Sequence, residues 1–144
     1  MKELTVLFVC VHNSGRSQMA EALTNALAQE AGVPLRALSA GTVGGKNLNP
    51  AAVEAMSELG ISMAGQAPKI MTQEMVEQSD KIISMGCGVD AEACPAKFLV
   101  TEDWGLDDPA GQPVERVRVI RDEIRRRVQV LLDEASTTPP VEGR

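Results

Sequence analysis

Tyrosine is absent from this 144-residue chain, and aromatic residues make up only 2% of it. A core must therefore be filled by Val, Ile, Leu, Met and Ala. No apolar run reaches the length that spans a bilayer. The start lacks the charged n-region and apolar h-region of a secretion signal, so the expected compartment is the cytosol. Cysteines number three, and in a reducing compartment these are expected to be catalytic or redox-active, not structural disulfides. An excess of basic charge is missing as well. The formal net charge is −6, which argues against nucleic acid or a membrane surface as partner. A small anion remains open, because local geometry can outweigh the global field.

What is present fits one domain, expected over residues 1–135, with a polar, Pro-containing tail over 136–144. Apolar residues are 44% and charged residues 24%, as in ordinary globular proteins. Leu4 to Val9 is a near-continuous apolar run with β-branched residues, the pattern of a central parallel strand buried on both faces. Met19, Leu23, Ala26 and Leu27 have helical spacing from Ser17 to about Ala31, with Gly32 as the stop. Leu35 to Ala40 reads as a second strand ending at Gly41. Thr42 to Leu48 reads as a loop.

Asn49-Pro50 has the form of an N-cap followed by Pro at the first helical position. That helix is predicted to close at Gly60 with Val53, Met56 and Leu59 inward. Thr72 is the next predicted N-cap, with Met71 and Val76 at staple spacing. Lys81 to Met85 and Lys97 to Thr101 are predicted strands, and Trp104 to Gln112 a loop. Val117, Ile120, Ile124, Val128 and Leu131 mark one face of a long helix from Val114 to about Ala135. Strands alternating with helices imply an α/β fold: a three-layer sandwich with a four-stranded parallel sheet and helices on both faces. Ligands in such sheets sit at the carboxyl ends of the strands, where both Cys10 and Cys87 are predicted to fall.

The segment Cys10-Val-His-Asn-Ser-Gly-Arg16-Ser17 follows the first strand and opens the first helix. Five residues between Cys and Arg can wrap so that the N–H groups of Val11, His12, Asn13, Ser14 and Gly15 point inward as a nest for a tetrahedral oxyanion. The helix adds its positive N-terminus, and Arg16 offers a planar fork to two oxygens. These donors also favour Cys10 as the thiolate, the nucleophilic form. Ser17 is placed to hydrogen-bond that sulfur. Asn13 suits a left-handed bend. His12 reads as a loop residue, not a general base. The bland alternative, a buried strand-end cysteine beside a solvated arginine, is outweighed by the strand before and the helix after.

Cys10-Val-His-Asn-Ser-Gly-Arg-Ser17-Gln-Met-Ala-Glu21 resembles the active-site loop of arsenate reductases with the low-molecular-weight tyrosine phosphatase fold. Ser39-Ala40-Gly41 and Asp107-Asp108-Pro109 also resemble that family's segments. The resemblance implies that Asp108 is the general acid that lets oxygen leave as water. Without it, Asp108 reads as an acidic turn beside Pro109. The resemblance further implies a thiol relay of the thioredoxin-coupled type, serving arsenical resistance. In it Cys10 attacks arsenate, Cys87 attacks Cys10, and Cys94 attacks Cys87. Thioredoxin is then the expected reductant of the Cys87–Cys94 disulfide, and no cofactor is needed. Phosphate and sulfate are expected competitors.

Arithmetic adds a constraint. On one regular helix, seven steps would separate Cys87 and Cys94 by about 10 Å, whereas a disulfide needs Cα atoms roughly 4.4–6.8 Å apart. Oxidation is therefore expected to distort this segment, which Gly86 and Gly88 ease and Pro95 ends. Inert buried thiols and a zinc site are the alternatives. Zinc is disfavoured because C-x6-C lacks the usual ligand spacing and His12 lies within the nest.

Two departures from the family pattern stand out. Gly15 replaces a further cysteine that several members carry. Some members hold a potassium ion behind the loop. Asn13, Glu21 and Ser39 match ligand positions of that site, while Lys69 stands at the remaining acidic position. An ammonium beside Glu21 is expected to replace the ion's charge, so no metal is expected. A low-molecular-weight tyrosine phosphatase is the alternative enzyme. Against it, the chain has no Tyr, and Ala110 follows Pro109 where phosphatases of the fold usually place an aromatic. Reduction through mycothiol or glutaredoxin, and a non-catalytic oxyanion-binding module, complete the alternatives.

Overall fold

The computed structural model describes residues 3–10, 12–41, 47–63, 65–85, 102–106 and 111–137. Within them the order is β1 (Leu4–Cys10), α1 (Arg16–Ala31), β2 (Leu35–Gly41), α2 (Pro50–Ser57), α3 (Gln73–Glu77), β3 (Lys81–Ser84), β4 (Glu102–Asp103) and α4 (Val114–Thr137). The strands form one parallel sheet in the order β2-β1-β3-β4. The predicted α/β class with four parallel strands is therefore what the chain adopts.

β1 is apolar from Val6 to Cys10 because both of its faces are covered there. Val6, Phe8 and Cys10 face a large cluster that α1, α2 and α4 complete through Met19, Leu23, Ala52, Met56, Val117, Ile124 and Val128. Leu7 and Val9 face a smaller cluster with Ala40 and Ile82, covered in part by Met71, Met75 and Val76 around α3. From β1 the chain moves to β2 on one side and later to β3 on the other. The carboxyl ends of β1 and β3 thus flank a topological switch point, where open α/β sheets bind ligands.

The caps follow sequence logic. Gly32 ends α1 in the left-handed region at φ 70°, a conformation that glycine adopts without a Cβ penalty. Asn49 caps α2 by accepting from Ala51 N and Ala52 N, with Pro50 in the first turn. Thr72 Oγ1 accepts from Met75 N at the start of α3.

Several expectations are corrected. α2 ends at Ser57, before Gly60, and it buries Ala52, Ala55 and Met56 while Val53 is exposed. On α1, Ala26 and Leu27 are only half-buried, and Ala28 is inside instead. The described fourth strand is Glu102–Asp103, just past the predicted span 97–101, which lies outside the described residues. Trp104, expected in a loop, is core. It is 4% exposed, and its ring centroid lies 5.4 Å from that of Phe8 with the Arg127 guanidinium 5.8 Å above it. A lone large ring in an aromatic-poor chain finds the interior even without an element to carry it. α4 continues through Thr137, two residues into the predicted tail, and it buries the whole predicted face. No helix among the described residues is long and apolar enough to cross a membrane.

Candidate active site

β1 delivers Cys10 to the switch point as its last residue, 3% exposed. The chain then turns back on itself. Asn13 adopts φ 56°, the left-handed bend expected of it, and this directs Asn13 N–H to Cys10 Sγ at 3.2 Å. Ser17 Oγ lies 2.7 Å from the same sulfur. Asn13 Nδ2 donates to Ser17 Oγ at 2.7 Å. The serine oxygen thus accepts from the amide, and its single proton is free to go to Cys10 Sγ. The sulfur thus lies between two hydrogen-bonding groups at the mouth of the loop.

α1 begins at Arg16, with Gly15 at its N-cap and no side chain capping the first turn. The helix N-terminus therefore faces the loop without a competing carboxylate. Arg16 is 8% exposed. Its Nη1 donates to Met85 O at 2.8 Å and to Leu106 O at 2.9 Å. One guanidinium nitrogen thus joins the residue after β3 to the segment after β4. The loop is braced from a third side by Asn49 N–H donating to Ser14 O at 2.8 Å, so the cap of α2 is also a strut of the anion loop. His12 is exposed.

Behind the loop, Glu21 accepts a hydrogen bond from Ser39 Oγ, and Lys69 Nζ stands 3.6 Å from Glu21 Oε1. Lys69 N–H and Gln18 Nε2 both donate to Asn13 Oδ1, each at 2.8 Å. The residues present do not fit a potassium ion. Both lone pairs of Asn13 Oδ1 are engaged, and an ammonium already supplies the positive charge beside Glu21. Among the described residues, no cluster of His, Cys, Asp or Glu could hold a metal.

Of the residues singled out in the sequence, the structure brings Cys10, Asn13, Arg16 and Ser17 together, with Ser14 and Gly15 completing the described loop and Glu21 and Ser39 behind it. Val11, Cys87, Cys94 and Asp108 lie outside the described residues. The anchors of the two segments that carry Cys87 and Asp108, Met85 and Leu106, both meet Arg16. Gln18 escaped the sequence reading, and Asn49 is read there as a helix cap but not as a brace of the anion loop. Gln18 is a fully buried polar residue beside Ser17. The one signal in the sequence that could have pointed to it is a glutamine in the first helical turn next to an anion loop.

A strand-end cysteine, a five-residue loop, an arginine and a helix at the switch point of a parallel sheet define a class of oxyanion-handling enzymes. The chain belongs to the low molecular weight phosphotyrosine protein phosphatase family, which matches residues 5–138. Within that family it is 34% identical over 131 residues to "Arsenate reductase 2" of Staphylococcus epidermidis, covering 90% of this chain and 96% of the relative. It is 34% identical over 132 residues to the "Glutaredoxin arsenate reductase" of Synechocystis, covering 91% and 98%. Among solved structures, one described as an arsenate reductase in the phosphate binding state superimposes with a TM-score of 0.78 at 34% identity, covering 94% of this chain and 99% of that one.

Proposed function

We propose that this chain is an arsenate reductase that works by a three-thiol relay and draws its electrons from thioredoxin. The observation that carries the proposal is Cys10 Sγ accepting a hydrogen bond from Asn13 N and lying in hydrogen-bond contact with Ser17 Oγ at the mouth of an arginine-closed anion loop. The likeness to relatives named arsenate reductase supports the choice of substrate.

In the proposed cycle, Cys10 thiolate attacks arsenic and an oxygen leaves as water after taking a proton from Asp108. The product is a thioester of arsenic(V) on Cys10. The anion-loop N–H groups and Arg16 hold the remaining oxygens and stabilise charge as it builds. Cys87 thiolate then attacks Cys10 Sγ. The S–As bond breaks, its electron pair passes to arsenic, and arsenite leaves as arsenic(III). Cys94 attacks Cys87, which frees Cys10 and leaves a Cys87–Cys94 disulfide for an external dithiol. The cytosol, where thiols stay reduced, suits this cycle.

The Synechocystis relative's name supplies a second reading for the electron source, glutaredoxin with glutathione. Steady-state NADPH oxidation separates the two. Arsenate should drive turnover with thioredoxin and thioredoxin reductase, and Cys10→Ser and Cys94→Ser should each abolish it. Turnover supported only by glutathione and glutaredoxin, with Cys94→Ser as active as the parent, would replace the relay by the second reading. Hydrolysis of small aryl phosphates without arsenate reduction would leave a phosphatase.

A further inference from the structure

We propose that Gln18 is a positioning residue for the Cys10 nucleophile, acting on it through Asn13 and Ser17. The inference rests on Cys10 being the nucleophile and on no particular substrate. Gln18 is fully buried, and its effect runs through a directed chain of hydrogen bonds.

Gln18 Nε2 lies 2.8 Å from Asn13 Oδ1, 3.1 Å from Asn13 O and 2.9 Å from Ala67 O. Lys69 N–H is the second donor to Asn13 Oδ1, at 2.8 Å. With both lone pairs of that oxygen engaged, the Asn13 amide has one sensible orientation. Its Nδ2 end must face Ser17 Oγ, 2.7 Å away. The opposite orientation would set an NH2 group against two N–H donors. It would also turn Oδ1 toward Ser17 and draw the serine proton away from Cys10. Gln18, together with Lys69 N–H, thus selects the amide orientation that leaves the serine proton available to the sulfur, 2.7 Å away.

The same nitrogen supports the backbone. Its contact with Asn13 O steadies a residue at φ 56°, a conformation that costs energy for a non-glycine residue. That conformation aims Asn13 N–H at Cys10 Sγ. Gln18 is itself oriented, because Gln66 Nε2 donates to Gln18 Oε1. The donors Gln66, Gln18 and Asn13 all run in one sense toward Ser17 Oγ, the neighbour of the sulfur, so each bond polarises the next.

The test uses a chain carrying Cys87→Ser and Cys94→Ser, so that Cys10 alone reacts with iodoacetamide. The rate is followed against pH in this parent and in Gln18→Met, which matches the size of glutamine without its donors or any new charge. Arg16, Glu21, Lys69 and His12 are the same in both. Gln18→Met is expected to move the profile to higher pH, so that below its midpoint the rate falls roughly threefold to tenfold, the worth of about one hydrogen bond to a charged acceptor. With Ser17→Ala present in both chains, the difference is expected to shrink below about twofold. Superimposed Gln18 and Met profiles would overturn the inference, as would a shift that persists in full without the serine hydroxyl. If Gln18→Met does not fold, Gln66→Met takes its place with the same direction expected, and an unmoved profile there overturns the proposal. A parent Cys10 that reacts like an ordinary free thiol at every pH would instead overturn the nucleophile assignment itself.

Discussion

Arg16 Nη1 lies 2.8 Å from the carbonyl oxygen of Met85, two residues before Cys87 in the chain. The same nitrogen reaches Leu106 O at 2.9 Å, two residues before Asp108. The arginine proposed to grip the anion therefore also ties Met85 to Leu106, the residues that lead in sequence toward the proposed second thiol and the proposed acid. Arg16→Lys keeps the charge but replaces a planar fork with a single ammonium. It is expected to lower kcat/KM for arsenate by about 100-fold or more, since both anion geometry and segment anchoring are lost. A loss of less than about threefold would show that neither role matters.

Lys69 Nζ beside Glu21 occupies the neighbourhood of a cation with a charge of its own. Turnover is therefore expected to be the same in potassium and in sodium salts at equal ionic strength. Clear activation by potassium would contradict this account of Lys69.

Cys87 and Cys94 are seven residues apart. If they share a helix when reduced, joining them must close about 10 Å along the axis to within disulfide reach. The oxidised Cys10→Ser chain is expected to exchange amide hydrogens faster, or to be cleaved more readily, over 86–95 than the reduced chain. Equal protection in both states would mean that the disulfide closes without rearrangement.

α2 and α4 are clamped by Glu58, which accepts from Arg118 Nη2 at 2.7 Å and from Arg121 Nη1 at 2.9 Å. The Arg118 hydrogen bond above all, and then that of Arg121, hold the Glu58 carboxyl below its ordinary value, although partial burial opposes them. A depressed folded-state value means that the clamp stabilises fully above the ordinary carboxylate range and fades as the pH falls through the folded value. Glu58→Gln should therefore lower Tm at pH 7, and the gap should close on acidification toward pH 3. A gap that is constant with pH would point to packing, not charge.

The strand, loop and helix around Cys10 were legible because three patterns coincide there: an apolar run, a C-x5-R-S spacing and helical periodicity after it. α4 was legible because only one of its faces is inside. α1 was read less well for the opposite reason. Arg16 to Ala20 and Ala22 to Thr24 are all buried, so the first half of the helix is enclosed on most sides and periodicity marks no single face. That is also why Gln18 went unnoticed: its partners, Asn13 and Ala67, are set by tertiary contact and leave no spacing in the sequence. Val53, Met56 and Leu59 read as one inward face at helical spacing, whereas α2 buries Ala52, Ala55 and Met56, small alanines whose weak apolar signal does not mark a face in the sequence.

The most direct measurement is a single turnover with arsenate and no external thiol. The account predicts one arsenite per chain, two thiols lost, and a Cys87–Cys94 disulfide with Cys10 free again. Arsenite formed in full by the Cys87→Ser chain, or no thiol consumed as arsenate is processed, would contradict it.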